Sequence, residues 1–299
     1  MNTPLVSIIV ISYNASKSIE DTLDSILSQT YPHLELIIAD DHSTDDTAVK
    51  CENWISKNGG RFVRSLVIVN EENKGISANT NIGIKASTGE WIKIVGDDLL
   101  MPDAIESNLK FALEQGCLIV TSRATRFSDG TNEVLNTVPD DSYRFPKTNH
   151  EQYIAHIKTR LVAPSPTWFY KRELYDGMGG YDEHFRLLDD MPLLLKMLKS
   201  GYSLTYLPKV TLMYRITQTS LSSSRGKTGK QKQPYFECRS GYYHELVVPE
   251  LKKNRLYGVL LRKNLVHFLF RKKIYSPDNS LRRYLYGICF TIVAKFENY

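Results

Sequence analysis

Gly89 to Leu100, GEWIKIVGDDLL, is the stretch whose reading decides the fold. Trp91, Ile92, Ile94 and Val95 make a short apolar, β-branched strand that runs directly into two carboxylates, Asp97 and Asp98. Met101-Pro102-Asp103 follows, a sequence suited to the start of a helix. Carboxylates at the C-terminal end of a buried strand sit where open α/β sheets bind their ligands. An isolated Asp-Asp pair is also the chemistry of an Asx turn or a helix cap. The flanking chain has to decide between the two.

Upstream, Val6 to Ser12 (VSIIVIS) is a continuous apolar run and reads as a strand buried on both faces. Ile19, Leu23, Ile26 and Leu27 recur at helical spacing, and Leu34 to Ala39 forms a second strand that stops at Asp40-Asp41. Ser43 to Asp46 offers caps for a helix over Ala48 to Ile55. Leu66 to Val69 is a third strand, followed by the turn Asn73-Lys74-Gly75 and a helix from Ile76 to Ala86. Strict alternation of strand and helix implies crossover connections and a parallel sheet.

Downstream the pattern continues through a helix, Ala104 to Glu114, and a strand, Leu118 to Ser122, and then loosens. Thr125 to Val138 reads as a hairpin around Ser128-Asp129-Gly130. A helix is expected near Gln152 to Thr159, then a Pro-Ser-Pro break and an apolar run from Thr167 to Tyr170. Met191 to Leu198 reads as a helix ended by Gly201, and Tyr202 to Leu207 and Val210 to Arg215 as two strands. Ser220 to Gln233, polar and basic, reads as a loop. From Tyr235 the helical pattern returns with many aromatic and basic residues. The expected division is 1–220, in halves 1–122 and 123–220, with 221–299 as a helical, basic extension.

The 299-residue composition is that of a soluble globular chain, and its net charge of +5 is mild. The basic excess gathers late, at Arg225 to Lys232, Lys252 to Arg255, Arg262-Lys263, Arg271 to Lys273 and Arg282-Arg283. Four dispersed cysteines fit neither a zinc site nor a disulfide framework, which points to a reducing compartment. The N-terminus lacks the basic region of a signal peptide. The longest C-terminal apolar run, Tyr284 to Val293, is too short to span a bilayer.

Asp40/Asp41 after strand two and Asp97/Asp98 after strand four emerge at one edge of such a sheet, beside Tyr13 after strand one. A third acidic pair, Asp189/Asp190, precedes the Met191 helix, where carboxylates also serve simply as helix-terminus charges. Several carboxylates repel a phosphate unless a divalent cation stands between them, and Mg²⁺ or Mn²⁺ is held by one or two carboxylates plus phosphate oxygens and water. An aromatic ring beside a carboxylate suits a nucleobase. The crevice therefore reads as a metal and nucleotide-diphosphate site. The turn Tyr13 to Lys17 has no glycine, which argues against a nicotinamide-binding turn, and a Walker-type loop is absent. The acidity of the crevice argues against nucleic acid.

The ordered segments VSIIVISYN, SILSQTYPHLELIIADDHSTDDT, NKGISANTNIGIKASTGEWIKIVGDD and GGYDEHFRLLDD, spread over Pro4 to Arg215, resemble family 2 glycosyltransferases. The resemblance implies the GT-A fold, a Rossmann-like, mostly parallel sheet flanked by helices. It also implies an inverting enzyme with a nucleotide-sugar donor, UDP-linked in many members, and a divalent metal (Mn²⁺ or Mg²⁺). By that resemblance Tyr13 lies against the base, Asp41 rather than Asp40 holds the base N–H, and Asn79 is a further nucleotide contact. Asp98 matches the metal-binding carboxylate, and Asp190 the general base, with Asp189 the first member of its pair. Three positions depart from the family pattern. Gly96 replaces the first Asp of the D-x-D motif, leaving its ribose contact to Asp97 or the backbone. Thr80 replaces an Arg, and Thr217 replaces a metal-binding His.

Trp168 is expected to stack on an acceptor sugar or to fill core, and His184 to be a solvated loop residue or an acceptor contact. The resemblance implies a glycan acceptor, with a lipid-linked oligosaccharide of bacterial surface polysaccharide synthesis as the expected type. The basic, aromatic C-terminal helices then suit peripheral contact with an anionic membrane on its cytoplasmic side, or a packed core with a solvated basic face. Two other readings stand beside this one: a sugar nucleotidyltransferase, and a non-catalytic carbohydrate- or membrane-binding module.

Overall fold

The structure, a computed structural model, describes residues 3–159, 161–217 and 229–271. Four apolar runs form the parallel half of a nine-stranded sheet: β1 (Val6–Ser12), β2 (Leu34–Asp40), β3 (Arg64–Val69) and β4 (Trp91–Val95), in the order β3-β2-β1-β4. They are joined by α1 (Ile19–Leu27), α2 (Thr47–Asn58) and α3 (Ile76–Ala86). Every residue of β2 is buried, as expected of a strand covered on both faces. Ser12 pairs with Asp40 and Val10 with Val95, so the ends of β1, β2 and β4 share one edge.

Apolar side chains fill both faces. On one, Ile8, Val10, Leu36 and Trp91 pack with Leu23, Trp54 and Leu109 of flanking helices. On the other, Ile9, Ile37 and Ile92 pack with Ile84, Leu174 and Leu194. Gly83 of α3 lets that helix approach β1, because a Cβ there would meet Ile9 at 2.5 Å.

Beyond β4 the sheet becomes mixed. After β5 (Leu99–Leu100) and α4 (Ala104–Gln115), β6 (Ile119–Ser128) and β7 (Val134–Val138) make the expected hairpin, with Gly130 at φ +85. β6 does not join β4. After α5 (Asn149–Ile157), the three-residue β8 (Phe169–Lys171) inserts between them, antiparallel to both. Next come α6 (Arg172–Met178), α7 (Asp190–Lys199) and β9 (Thr205–Ile216), which runs parallel to β6 and pairs with β5.

The two strands expected over Tyr202 to Arg215 are thus one. Ser122 pairs with Leu207 and Arg123 with Val210, so Pro208 and Lys209 are accommodated in a bulge instead of ending the strand. Of the loop expected over Ser220 to Gln233, residues 220–228 lie outside the described residues and the rest is helical. From Gly229 the chain is already helical in α8 (Gly229–Tyr242), whose Lys and Gln residues are polar yet good helix formers. The apolar run Tyr284 to Val293 lies outside the described residues, as do the basic pairs near it.

The chain divides into two compact units, Met1–His156 with Arg160–Arg239, and Ile157–Thr159 with Ser240–Tyr299. In the second, a π-helical turn (Tyr243–Val247) leads into α9 (Val248–Lys253) and α10 (Tyr257–Arg271). Among the described residues no helix is long and apolar enough to cross a membrane.

Candidate active site

The first unit holds a cavity of about 1180 Å³ at the C-terminal edge of β1, β2 and β4. Tyr13, Asp41, Asn79, Asp97, Asp98, Asp189 and Asp190 all contribute to its wall. Asp40 does not. Its carboxylate is fully buried, accepts from Ser12 Oγ (3.0 Å) and Ser43 N (2.8 Å), and holds the turn after β2.

The turn after β1 is fastened to the loop after β2. Asn14, at φ 51, donates its N–H to Ser43 Oγ (2.8 Å), and its side chain accepts from Thr44 N (2.8 Å). Asn tolerates this left-handed backbone, which accounts for its presence there. The fastening leaves Tyr13 52% exposed, with its ring on the cavity wall and not in the core.

Asp41 organises the next segment. Its carboxylate accepts from Asn70 Nδ2 (3.0 Å), Lys74 N (2.8 Å) and Gly75 N (2.8 Å). Asn79 is 2% exposed, donates to Ala39 O (2.8 Å) and accepts from Asn70 (3.0 Å). The Asn73 to Gly75 turn is clamped in turn by Arg186, which donates to Lys74 O (3.1 Å) and to Asn73 Oδ1 (2.7 Å). Gly75 has φ +90, and any Cβ there would overlap Arg186.

The acidic end of the cavity is built on Arg215. This nearly buried guanidinium bonds Asp97 O (2.8 Å) and pairs with Asp129 (2.8 Å) and Asp21 (3.3 Å), while its main-chain N–H donates to Asp98 Oδ1 (2.9 Å). Burial raises the Asp98 carboxyl, with help from the charge of Asp97, to about 8. Asp97 is raised too, chiefly by burial. Gly96, which by the resemblance stands in place of an Asp, has open space around it: a Cβ there would meet nothing within 4 Å.

Asp189 and Asp190 open α7. Burial and the charge of Asp190 hold the Asp189 carboxyl above the usual range. Asp190 accepts from Met191 N (2.7 Å) and from Ser165 Oγ (2.8 Å). His184 lies exposed on the turn before α7 and is not part of the wall. Trp168 borders the cavity, yet at 4% exposure it belongs mainly to the apolar cluster.

Ser165, Asp129, Arg215 and Tyr235 of α8 also border the cavity, with no role expected of them from the sequence. Ser165 is flagged only by the prolines on either side of it. Tyr235, whose phenol is raised by burial and feels Asp190 and Asp189, carries no signal at all.

The family described as "Glycosyl transferase family 2" matches residues 7–179. The chain is 29% identical over 230 residues to the putative teichuronic acid biosynthesis glycosyltransferase TuaG of Bacillus subtilis, covering 76% of this chain and 85% of that one. It is 26% identical over 283 residues to the uncharacterized glycosyltransferase EpsJ of the same organism, covering 92% and 80%. Among solved structures it resembles S. aureus TarS 1-349 in complex with UDP-GlcNAc, with TM-score 0.56, 18% identity, and coverage of 80% of this chain and 66% of that one. At that identity the likeness concerns the fold. With the family match spanning more than half of its length, the chain belongs to glycosyl transferase family 2.

Proposed function

We propose that this enzyme transfers a sugar from a UDP-sugar to a hydroxyl of a glycan acceptor, with inversion at the anomeric carbon. The observation that carries the reading is the meeting of Tyr13, Asp41, Asp97, Asp98, Asp189 and Asp190 on the wall of one cavity of about 1180 Å³. In this reading the exposed Tyr13 ring stacks on uracil. Asp41 Oδ2, which takes a single N–H from Gly75, accepts the imide N–H with its other lone pair. Asn79 and Asp97 border the nucleoside.

The residues present fit a divalent cation that arrives with the donor. Asp98 and Asp97 offer hard oxygen ligands; burial raises Asp98 to about 8, and a cation bound beside it would favour its ionised form. Among the described residues no cluster of three or more His, Cys, Asp or Glu is arranged to hold an ion. That suits Mg²⁺ or Mn²⁺ whose remaining ligands are phosphate oxygens and water. When bound, such an ion offsets charge on the leaving diphosphate.

Asp190 acts as base. It accepts the proton of the acceptor hydroxyl as that oxygen bonds to C1 of the sugar. The bond from C1 to the phosphate oxygen breaks at the same time, its electron pair leaving on the nucleoside diphosphate.

The acceptor is proposed to be a lipid-linked glycan of a bacterial surface polysaccharide. Support comes from the likeness to TuaG and from the basic clusters of the C-terminal sequence, which suit peripheral contact with the inner membrane face.

Calorimetric titration with UDP, GDP and CMP, with and without Mn²⁺, tests the donor half. Metal-dependent binding of UDP, abolished in Asp98→Ala, is expected, followed by UDP release from a UDP-sugar. Absence of binding by any nucleotide overturns the reading, and pyrophosphate release from UTP with a sugar 1-phosphate replaces it with nucleotidyl transfer. Co-sedimentation with phosphatidylglycerol vesicles tests the membrane contact, and failure to pellet at low salt removes it.

A further inference from the structure

Lys93 stands in the middle of β4, between Ile92 and Ile94, with no exposed surface. A charged or amine group in such a place is retained only with partners, because its desolvation is costly. Its Nζ donates to two main-chain carbonyls, those of Pro166 and Trp168, the second at 3.3 Å. The two carbonyls take up two of its N–H groups, and burial lowers the Lys93 pKa to about 7 against the charge of Asp98. The ordinary use of a core lysine would be none; here it fastens one turn.

That turn is otherwise held tightly. Thr167 N donates to Pro164 O (2.9 Å) and Trp168 N to Ser165 O (2.9 Å). Thr167 Oγ1 donates to Pro164 O (2.7 Å) and accepts from Ser122 N of β6 (3.1 Å). Pro164 and Pro166 fix the backbone on either side of Ser165. The one polar side chain that this turn extends toward α7 is Ser165, whose Oγ donates to Asp190 Oδ2 at 2.8 Å. Asp190 Oδ1 is held by Met191 N at 2.7 Å. Each carboxylate oxygen thus has one fixed donor and one remaining lone pair, and both residues lie on the cavity wall.

We infer that Ser165, on a turn pinned by the buried amine of Lys93, is a positioning residue that fixes the Asp190 carboxylate for proton transfer. The inference rests on the reading of Asp190 as base. Misplacement of a reacting group by about 1 Å costs up to ~10²-fold in rate, so removing the hydroxyl should slow the chemical step without weakening donor binding.

The test uses the full chain with Mn²⁺ and a panel of UDP-glucose, UDP-galactose, UDP-N-acetylglucosamine and UDP-glucuronate. UDP release to water is followed with the donor that turns over fastest. Ser165→Ala is expected to lower kcat by about 10- to 100-fold, with donor KM and the UDP titration within about twofold of wild type. Ser165→Thr, which keeps the hydroxyl, restores most of the rate. In an Asp190→Asn background the Ser165→Ala change should cost nothing further, because groups that act as a unit are non-additive.

Wild-type kcat in Ser165→Ala, a loss expressed in KM, or a full additional loss in the Asp190→Asn background overturns the inference while Asp190 itself stands. Undiminished turnover by Asp190→Asn, or no turnover with any donor, overturns the base reading and the inference together. Lys93→Met, if it folds, should repeat the Ser165→Ala loss of kcat. Should it fail to fold, the Ser165 variants still decide the matter.

Discussion

Glu35 and Asp98 are carboxylates buried at opposite edges of one sheet, and they are treated in opposite ways. Glu35, near the start of β2, has no exposed surface and accepts from Ser7 Oγ (2.6 Å), Thr88 N (2.7 Å), Thr88 Oγ1 (3.1 Å) and Arg64 (2.9 Å). Burial alone would raise its pKa, but these donors outweigh burial and the pKa is lowered. Asp98, beyond the end of β4, is equally buried and has a main-chain N–H from Arg215 for company, and it is raised to about 8. Asp189, with main-chain N–H groups as its hydrogen-bond donors, is raised as well. Burial therefore does not by itself make a carboxylate reactive. What separates these carboxylates is the number of donors aimed at each: Glu35 is saturated and lowered, while Asp98 and Asp189 at the cavity are short of donors and raised.

The largest expected effect breaks the comparison at its functional end. Asp190→Asn should lower kcat for sugar transfer by about 10²–10⁴-fold, the usual worth of a positioned base. UDP affinity with Mn²⁺ should stay within about twofold of wild type; steady-state kinetics beside calorimetry reads both, and an unchanged kcat refutes the assignment. At the structural end, Glu35→Ala strands Ser7, Thr88 N–H and a half-exposed Arg64. It should cost about 2–3 kcal/mol in urea unfolding, less than the ~3–5 kcal/mol of a fully buried broken pair because Arg64 reaches solvent. The kcat of the folded fraction should not change.

The pH dependence of stability sharpens the contrast, because the two carboxylates have opposite signs. Glu35 has a folded pKa below its unfolded value, so its contribution is present above the usual 4.5 and is lost as pH falls through the lowered pKa. Asp189 has a raised folded pKa, so the native state holds a proton that unfolding releases. Its contribution is present at pH 4 and declines as pH rises toward neutrality. In metal-free protein, Asp189→Asn should flatten the decline between about pH 4 and 7 and leave the acid limb alone, as read from urea midpoints across pH. A smaller effect is expected from Arg186→Ala, which frees the Asn73 to Gly75 turn. It should cost about 0.5–1 kcal/mol for an exposed set of hydrogen bonds and weaken UDP binding a few-fold by calorimetry, with kcat little altered.

The parallel half of the sheet was legible because its signals are local: apolar runs of strand length, caps, and glycines at turns. β8 was not legible as a sheet strand between β4 and β6, since three residues carry little pattern and their pairing partners lie far away in sequence. Pro208 looked like a terminator, and only the register across Arg123 reveals a bulge. In the cavity, the acidic pairs announced themselves at strand and helix ends. Asp40 and Asp41 could be ordered by the resemblance, and the structure gives the physical difference: one carboxylate is spent on its own turn, the other borders open space. Ser165 and Tyr235 are ordinary residues made significant by long-range placement, and no spacing rule reaches them.

Gly96 carries a consequence for how such a chain can change. A side chain added there meets nothing within 4 Å and needs no repacking, and its backbone is not in the left-handed region. Glycine and aspartate codons differ by one base, so a single mutational step can plant a carboxylate beside Asp97 without endangering the fold. The position is an evolutionary hinge: a place on the cavity wall where new selectivity can be tried at almost no structural risk, and abandoned just as easily.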